Sequence, residues 1–172
     1  RAQFNPQTCT ATSAVLGSAG PLSAFSNFGS APFTNHWYHV AEANKLAGLD
    51  LDAANPDINA TFNSNLNGAA TCLGGTGWYL GVDGVEGTNI ELLPVVLHEL
   101  GHGLGFSTIS NGSTGAFNTG LPAIFDKFLY DATTGQHWDS GTTQAQRAAS
   151  SISCGNLRWD GPSVVAGSGI LG

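Results

Sequence analysis

Methionine does not occur anywhere in the 172 residues. A chain without an initiator starts after some cut, so Arg1 is read as the beginning of a processed or excised segment. Basic residues are scarce: Lys+Arg number 5 against 12 Asp+Glu, which gives a net charge of −7 and a pI near 4.8. A surface of that sign repels phosphate and argues against nucleic acid and anionic membrane as partners. No stretch approaches the ~18 consecutive apolar residues of a bilayer span. No basic start, apolar run and small-residue cleavage site opens the chain. Cysteine is rare as well: Cys9, Cys72 and Cys154 leave one odd thiol however two of them pair, and no CxxC spacing offers a zinc site. The G-x-S-x-G elbow of a serine hydrolase is also missing.

What is present points to one folded domain. Hydrophobic residues make up 41% and charged residues only 10%, too apolar for a disordered chain, so solubility falls to Asn, Ser, Thr and Gly. Acidic surfaces of that kind are common among secreted bacterial proteins, and secretion is expected. In an oxidising compartment Cys9 with Cys72 is the preferred disulfide, because Cys154 lies in a separate C-terminal segment; three reduced, buried cysteines are the alternative. The leftover thiol suggests a partner outside this chain. The 24 glycines, about twice the usual share, favour turns and close backbone approaches over a helical bundle.

Residues 1–35 read as strand, turn, strand. A first helix is expected over His36–Leu46, ending at Gly48, and a half-buried strand over Asp57–Asn63. A glycine-rich loop follows, with a short strand at Trp78–Leu80. The second helix is expected over Asn89–Leu104, with Pro94 early enough to be tolerated and Leu93, Leu97, Leu100 and Leu104 as its core-facing stripe. Helical pieces are expected at Ile124–Tyr130 and Thr143–Ser151. Val165–Gly172 reads as a trailing edge of small residues, and Trp37, Trp78, Trp138 and Trp159 as core anchors.

The second helix carries His98, Glu99 and His102. Four residues make about one helical turn, so both imidazoles leave the same face and can hold one metal ion. Zinc suits two neutral imidazoles, with a position left open for water. Glu99 stands beside the pair as the candidate general base. Chance placement of HExxH in this composition is on the order of 0.3%. Gly101 and Gly103 inside the helix each cost ~1 kcal/mol against alanine, which suggests that something approaches the backbone there. Gly105 matches the turn of an extended HExxHxxGxxH motif, but Thr108 stands where a third histidine would follow. Within the chain the remaining ligand candidates are His137, Asp126, Asp131 and Asp139.

Other signals are weaker. His36 and His39 are spaced as a second metal pair, though helix-backing histidines are the simpler reading. Asp50, Asp52 and Asp57, and Asp83 with Glu86, offer oxygen ligands for calcium; lacking EF-hand spacing, they read more simply as turn formers. A paired-carboxylate glycosidase would leave the two histidines unexplained.

Several segments together resemble secreted bacterial metalloproteases that carry an inserted protease-associated domain. They are Leu16-Gly17-Ser18-Ala19-Gly20-Pro21, Asn35-His36-Trp37-Tyr38, Cys72-Leu73-Gly74-Gly75, His98 to Phe106, Phe125-Asp126, Gln146 to Ser150 and Leu157 to Pro162. The string from His98 to Phe106 is also similar to that of leishmanolysin-type metzincins. The resemblance implies a metzincin-like α+β catalytic domain with a twisted N-terminal sheet, a backing helix and an active-site helix. It implies a zinc endopeptidase acting on protein or peptide, with Glu99 catalytic and His98 and His102 on the metal. It also implies a third histidine and a methionine turn after the inserted domain, so that residues 1–172 form a catalytic domain cut short before that insertion, with a C-terminal remainder of the same protein as partner. His137 as third ligand of a short variant is the alternative. A non-catalytic module that keeps the HExxH helix for structure is the competing class. Gly74–Tyr79 is the expected edge strand for a bound peptide.

Overall fold

The structure, a computed structural model, describes residues 1–168. Its strands are β1 (Ala2–Asn5), β2 (Gly17–Pro21), β3 (Ala24–Phe25), β4 (Tyr38–His39), β5 (Ile58–Asn63), β6 (Trp78–Tyr79), β7 (Ile90–Glu91), β8 (Leu129–Asp131), β9 (Gln136–His137) and β10 (Leu157–Trp159). Its helices are α1 (Val40–Ala47), α2 (Leu92–Gly103), α3 (Gln144–Ser150) and α4 (Pro162–Ser168), with 3-10 turns at Leu73–Gly75 and Ile124–Phe128. The class is mixed α/β with small sheets, compatible with α+β. Two compact units form, one from Arg1–Ser23 and His39–Phe106, the other from Ala24–Tyr38 and the chain from Ser107 on.

In the first unit β5 is the central strand, parallel to β1 and antiparallel to β2. Its Ala60 and Phe62 are buried, and Phe4 on β1 lays its ring against Phe62 and Trp78. Asn63 ends the strand fully buried, with its amide satisfied. Its Oδ1 accepts the amides of Gln7 and Asn65 at 3.0 Å each, and its Nδ2 donates to the Val15 carbonyl at 2.7 Å. The Trp78 indole donates to its main-chain oxygen at 2.7 Å. The expected disulfide is present: Cys9 is bonded to Cys72, their Cα atoms 5.2 Å apart, and Cys154 is an exposed free thiol.

Helix α1 starts at Val40 rather than His36. Residues 36–39 are extended because Trp37 bridges to Ala123 within the second unit, its N–H bonded to the Pro122 carbonyl, and aromatic residues favour such pairing. The C-cap is as expected, with Gly48 at φ 69° and its N–H on the Asn44 carbonyl. Helix α2 starts at Leu92, because Ile90 and Glu91 are drawn into a parallel ribbon with Trp78 and Tyr79. Pro94 falls in the first turn, where its missing N–H costs no helical bond.

The leucine stripe of α2 is a correction. Leu93, Leu97 and Leu104 face outward, Leu97 at 63% and Leu104 at 61% exposure, and the helix buries Glu99 and Gly103 instead. A Cβ on Gly103 would lie 2.7 Å from Ile58 Cγ1. Glycine at that position therefore lets the helix lie close on Ile58 of β5, in a seam that buries none of the three outward leucines. Gly101 has open space around it, so only one of the two helical glycines has a packing reason.

In the second unit β8 is central between β10 and β9, both antiparallel to it. That pairing ends the expected Ile124–Tyr130 helix at Phe128. Trp138 is the one tryptophan fully in the core, its indole donating to Ser150 Oγ at 2.9 Å. Helix α3 opens with the Thr143–Gln146 capping box. Arg147 on that helix is buried, donating to the Gly115 and Thr142 carbonyls and stacking over Phe117. Val165–Ser168, expected as a trailing edge, belongs to α4; the rest of that stretch, 169–172, lies outside the described residues.

The disulfide closes a separation of 63 residues. Replacing Cys9 by Ser is expected to cost roughly 4 kcal/mol by the loss of loop constraint on the unfolded chain, read as a lowered denaturant midpoint. Cys154→Ser should leave that midpoint unchanged.

Candidate functional site

Helix α2 sets His98 and His102 one turn apart, ring centroids 4.6 Å apart and Nε2 to Nε2 3.0 Å. The neutral tautomer of His102 is set by its surroundings. Its Nδ1 lies 3.1 Å from the Phe106 carbonyl, an acceptor only, so Nδ1 carries the hydrogen and Nε2 keeps a lone pair aimed at His98. The chain supplies that carbonyl by turning at Gly105, whose φ of 112° suits glycine. The Phe106 N–H then bonds back to the Gly101 carbonyl at 3.0 Å. An oriented imidazole of this kind is how proteins prepare a metal ligand. Two Zn–N bonds of about 2.0–2.1 Å at a near-tetrahedral angle put their nitrogens about 3.4 Å apart, close to the separation here. The donor pair therefore fits zinc as two of its ligands.

Glu99 is only 7% exposed and turns toward the sheet. A Cβ on Gly17 would sit 3.1 Å from Glu99 Cγ and 3.2 Å from Phe62 Cδ1, so the bare backbone of β2 makes room for the carboxylate stem. Leu16, Gly17, Pro94, Val95, His98 and Glu99 line a single cavity of about 360 Å³. One imidazole and the carboxylate thus share a space that a small group can enter. β2 is an edge strand of its sheet, and its first residue forms a cavity wall.

Beside the histidines lie His39, singled out in the sequence only with His36, and Glu42, which the sequence did not single out. His39, at the N-cap of α1, is 3% exposed with a buried, unpartnered Nε2, and Glu42 one turn on has a buried, unpartnered Oε2. Both border Gly105: a Cβ there would lie 3.0 Å from Glu42 Oε2 and 3.6 Å from His39 Nδ1. Burial, and then the charge of His102, lower the pKa of His39. Burial raises the Glu42 carboxyl from 4.5 to about 7. The i, i+3 spacing of His39 and Glu42 was readable; their burial was not.

The second-metal pair of His36 and His39 does not form. His36 is engaged in the second unit by the Thr34 carbonyl at 2.8 Å and by Asp139 at 3.2 Å. The other ligand candidates have partners within that same unit. His137 Nε2 faces the Asp160 carboxylate at 2.9 Å, and Lys127 reaches Asp139 at 3.4 Å. Asp131 Oδ1 accepts the Thr133 amide, and Asp126 Oδ2 takes the Ser110 hydroxyl at 2.6 Å and the Ala123 amide. Burial raises the Asp126 carboxyl above its usual range, opposed by its hydrogen bonds and by Arg147. Among the described residues no group of three or more His, Cys, Asp or Glu could hold a metal ion. The calcium candidates serve turns: Asp52 accepts from Ser23 and Asn55, and Asp83 from the Tyr79 hydroxyl and the Val85 amide, which lowers both pKa values. The peptide-pairing edge expected at Gly74–Tyr79 is partly a 3-10 turn, and Trp78–Tyr79 pairs with β7.

No family model, curated protein or solved structure matches this chain.

Because the folded Glu42 carboxyl titrates near 7 against an ordinary 4.5, its contribution to stability is fully present below about pH 4.5 and is lost as pH rises through about 7. Glu42→Gln should therefore gain on the wild type across that window. Urea midpoints taken from pH 4 to 8 would show it; parallel profiles would mean that Glu42 ionises as freely as in the unfolded chain.

Proposed function

We propose that this chain is catalytic machinery of a secreted zinc endopeptidase. One observation carries the reading: His98 and His102 bring their Nε2 atoms within 3.0 Å of each other, the second tautomer-locked by Phe106, while Glu99 lines the same cavity as His98. The resemblance of the segments around them to metzincin-like proteases supports it. His98 and His102 would hold the ion. A zinc ion there supplies a Lewis acid that acidifies water and polarises a carbonyl.

The protein's own groups do the rest. Glu99, desolvated on the sheet side of α2, accepts the proton of the attacking water at its carboxylate and returns it to the departing amine. The Phe106 carbonyl holds the His102 ring in place through both steps. The free edge of β2 offers main-chain donors and acceptors to an extended peptide, which replaces Gly74–Tyr79 as the pairing edge.

Glu99→Gln in the full-length protein should lower casein cleavage by about 10²–10⁴-fold with circular dichroism unchanged, and a chelator should abolish it. Gly17→Ala crowds the Glu99 stem and narrows the cavity, and should reduce kcat/KM. Cleavage persisting in the Gln variant would sink the mechanism and favour a non-catalytic module.

Zinc affinity provides a separate check. With two histidines alone on the ion the chain is expected to bind zinc weakly, His98→Ala to remove that binding, and His137→Ala to leave it unchanged in calorimetric titration. A large loss in His137→Ala would put that histidine on the metal.

A further inference from the structure

Leaving a buried donor or acceptor without a partner is costly, so each instance asks for a reason. On α1 there are two: Nε2 of His39 and Oε2 of Glu42 have no hydrogen-bond partner among the described residues. Helix capping does not supply the reason. A glutamate three residues past the N-cap commonly reaches back to the N-cap amide, yet α1 has no side-chain cap bond. Both side chains border Gly105 instead, where a Cβ would come within 3.0 Å of Glu42 Oε2 and 3.6 Å of His39 Nδ1. Glu42 is the nearer of the two.

Gly105 is the bend on which the orientation of His102 depends. Its N–H bonds to the His102 carbonyl at 3.2 Å, and the next residue, Phe106, lays its carbonyl 3.1 Å from His102 Nδ1. We propose that Glu42 is a positioning residue for His102: its carboxyl backs the Gly105 bend and so keeps the Phe106 carbonyl on Nδ1. This rests on the peptidase reading, which makes His102 a metal ligand, and adds the residue that orients it. The place selects for a hydrogen-bond donor without charge. The last carbonyls of a helix lack helical partners and form its negative pole, and Gly105 follows directly on the C-cap of α2, Leu104. A carboxylate would be repelled there, whereas a protonated carboxyl brings an O–H. Burial favours that form, raising Glu42 to about 7. An apolar side chain of the same length would fill the space and offer no donor.

The test reads His102 in the metal-free chain, where long-range 1H–15N NMR spectra at pH 7 tell the two neutral imidazole tautomers apart. Glutamine keeps the length of Glu42 and a donor; methionine keeps the length alone. The wild type and Glu42→Gln should hold the His102 hydrogen on Nδ1, and Glu42→Met should give a mixture with the Nε2–H form. Zinc added to the same samples should bind Glu42→Met about 10–100-fold more weakly, read on the His98 and His102 ring signals. The Trp78 indole N–H, bonded at the end of β5, reports whether the unit stays folded, and Glu42→Ala repeats the comparison should the methionine variant unfold. A His102 that stays on Nδ1 in the variant lacking a donor, or that leaves Nδ1 in Glu42→Gln, overturns the proposal and leaves the peptidase standing. Casein cleavage persisting in Glu99→Gln overturns the peptidase alone, because the tautomer is read without metal or turnover.

Discussion

The side chain of Asn63 is the fixed point of the first unit. Buried in full and bonded through both its amide oxygen and its amide nitrogen, it joins the N-terminal segment and the Val15–Leu16 approach to the end of β5, where the main-chain oxygen of the same residue takes the Trp78 indole. A buried amide satisfied on every side holds its neighbours more firmly than the same contacts on a surface, because each lost bond would leave a polar group dry. The main-chain bond from Asn63 N to the Leu16 carbonyl, 2.9 Å, carries this restraint to the residue before Gly17. The strand that faces Glu99 is therefore positioned by hydrogen bonding rather than by apolar packing.

The helix on the other side of the cavity is positioned by what two glycines lack. Gly103 lets α2 settle on Ile58, and Gly17 lets Glu99 lie along β2. A single added carbon would force Ile58 aside at Gly103 and press on Glu99 and Phe62 at Gly17. A third glycine, Gly105, bends the chain so that the Phe106 carbonyl meets His102. Backbone permissiveness at three positions thus sets the roll of the helix, the place of the carboxylate and the tautomer of an imidazole. The half-buried Glu42 and the buried His39 beneath that bend add a polar underside, in which one group resists ionisation as pH rises and the other as it falls.

Local signals were legible where local chemistry decides the outcome. Gly48 as C-cap, the helix expected over Thr143–Ser151, the strand at Ile58–Asn63 and the HExxH spacing were all readable, since each depends on residues within a few positions of one another. The Cys9–Cys72 bond was chosen correctly from segment separation. The misreadings have a common cause in long-range pairing. Trp37 to His39 carry residues that suit a helix face, yet a bridge to Ala123 keeps Trp37 extended, and Ile90–Glu91 are taken from α2 by Trp78–Tyr79. The leucine row was assigned to the core because apolar periodicity was taken to imply burial. The seam that formed instead runs through a glycine and a glutamate, whose packing depends on partners 45 and 82 positions away, at Ile58 and Gly17.

That outward row has a practical consequence. Leu93, Leu97 and Leu104 stand in solvent on a helix whose working residues point elsewhere, and none of the three is a wall of the cavity. Apolar surface of this kind invites self-association, and an overall charge of −7 is the main force opposing it. Its separation from the chemistry makes the row an engineering handle: hydrophilic replacements there can raise colloidal stability, or carry a tether for immobilisation, without disturbing the geometry of His98, Glu99 and His102.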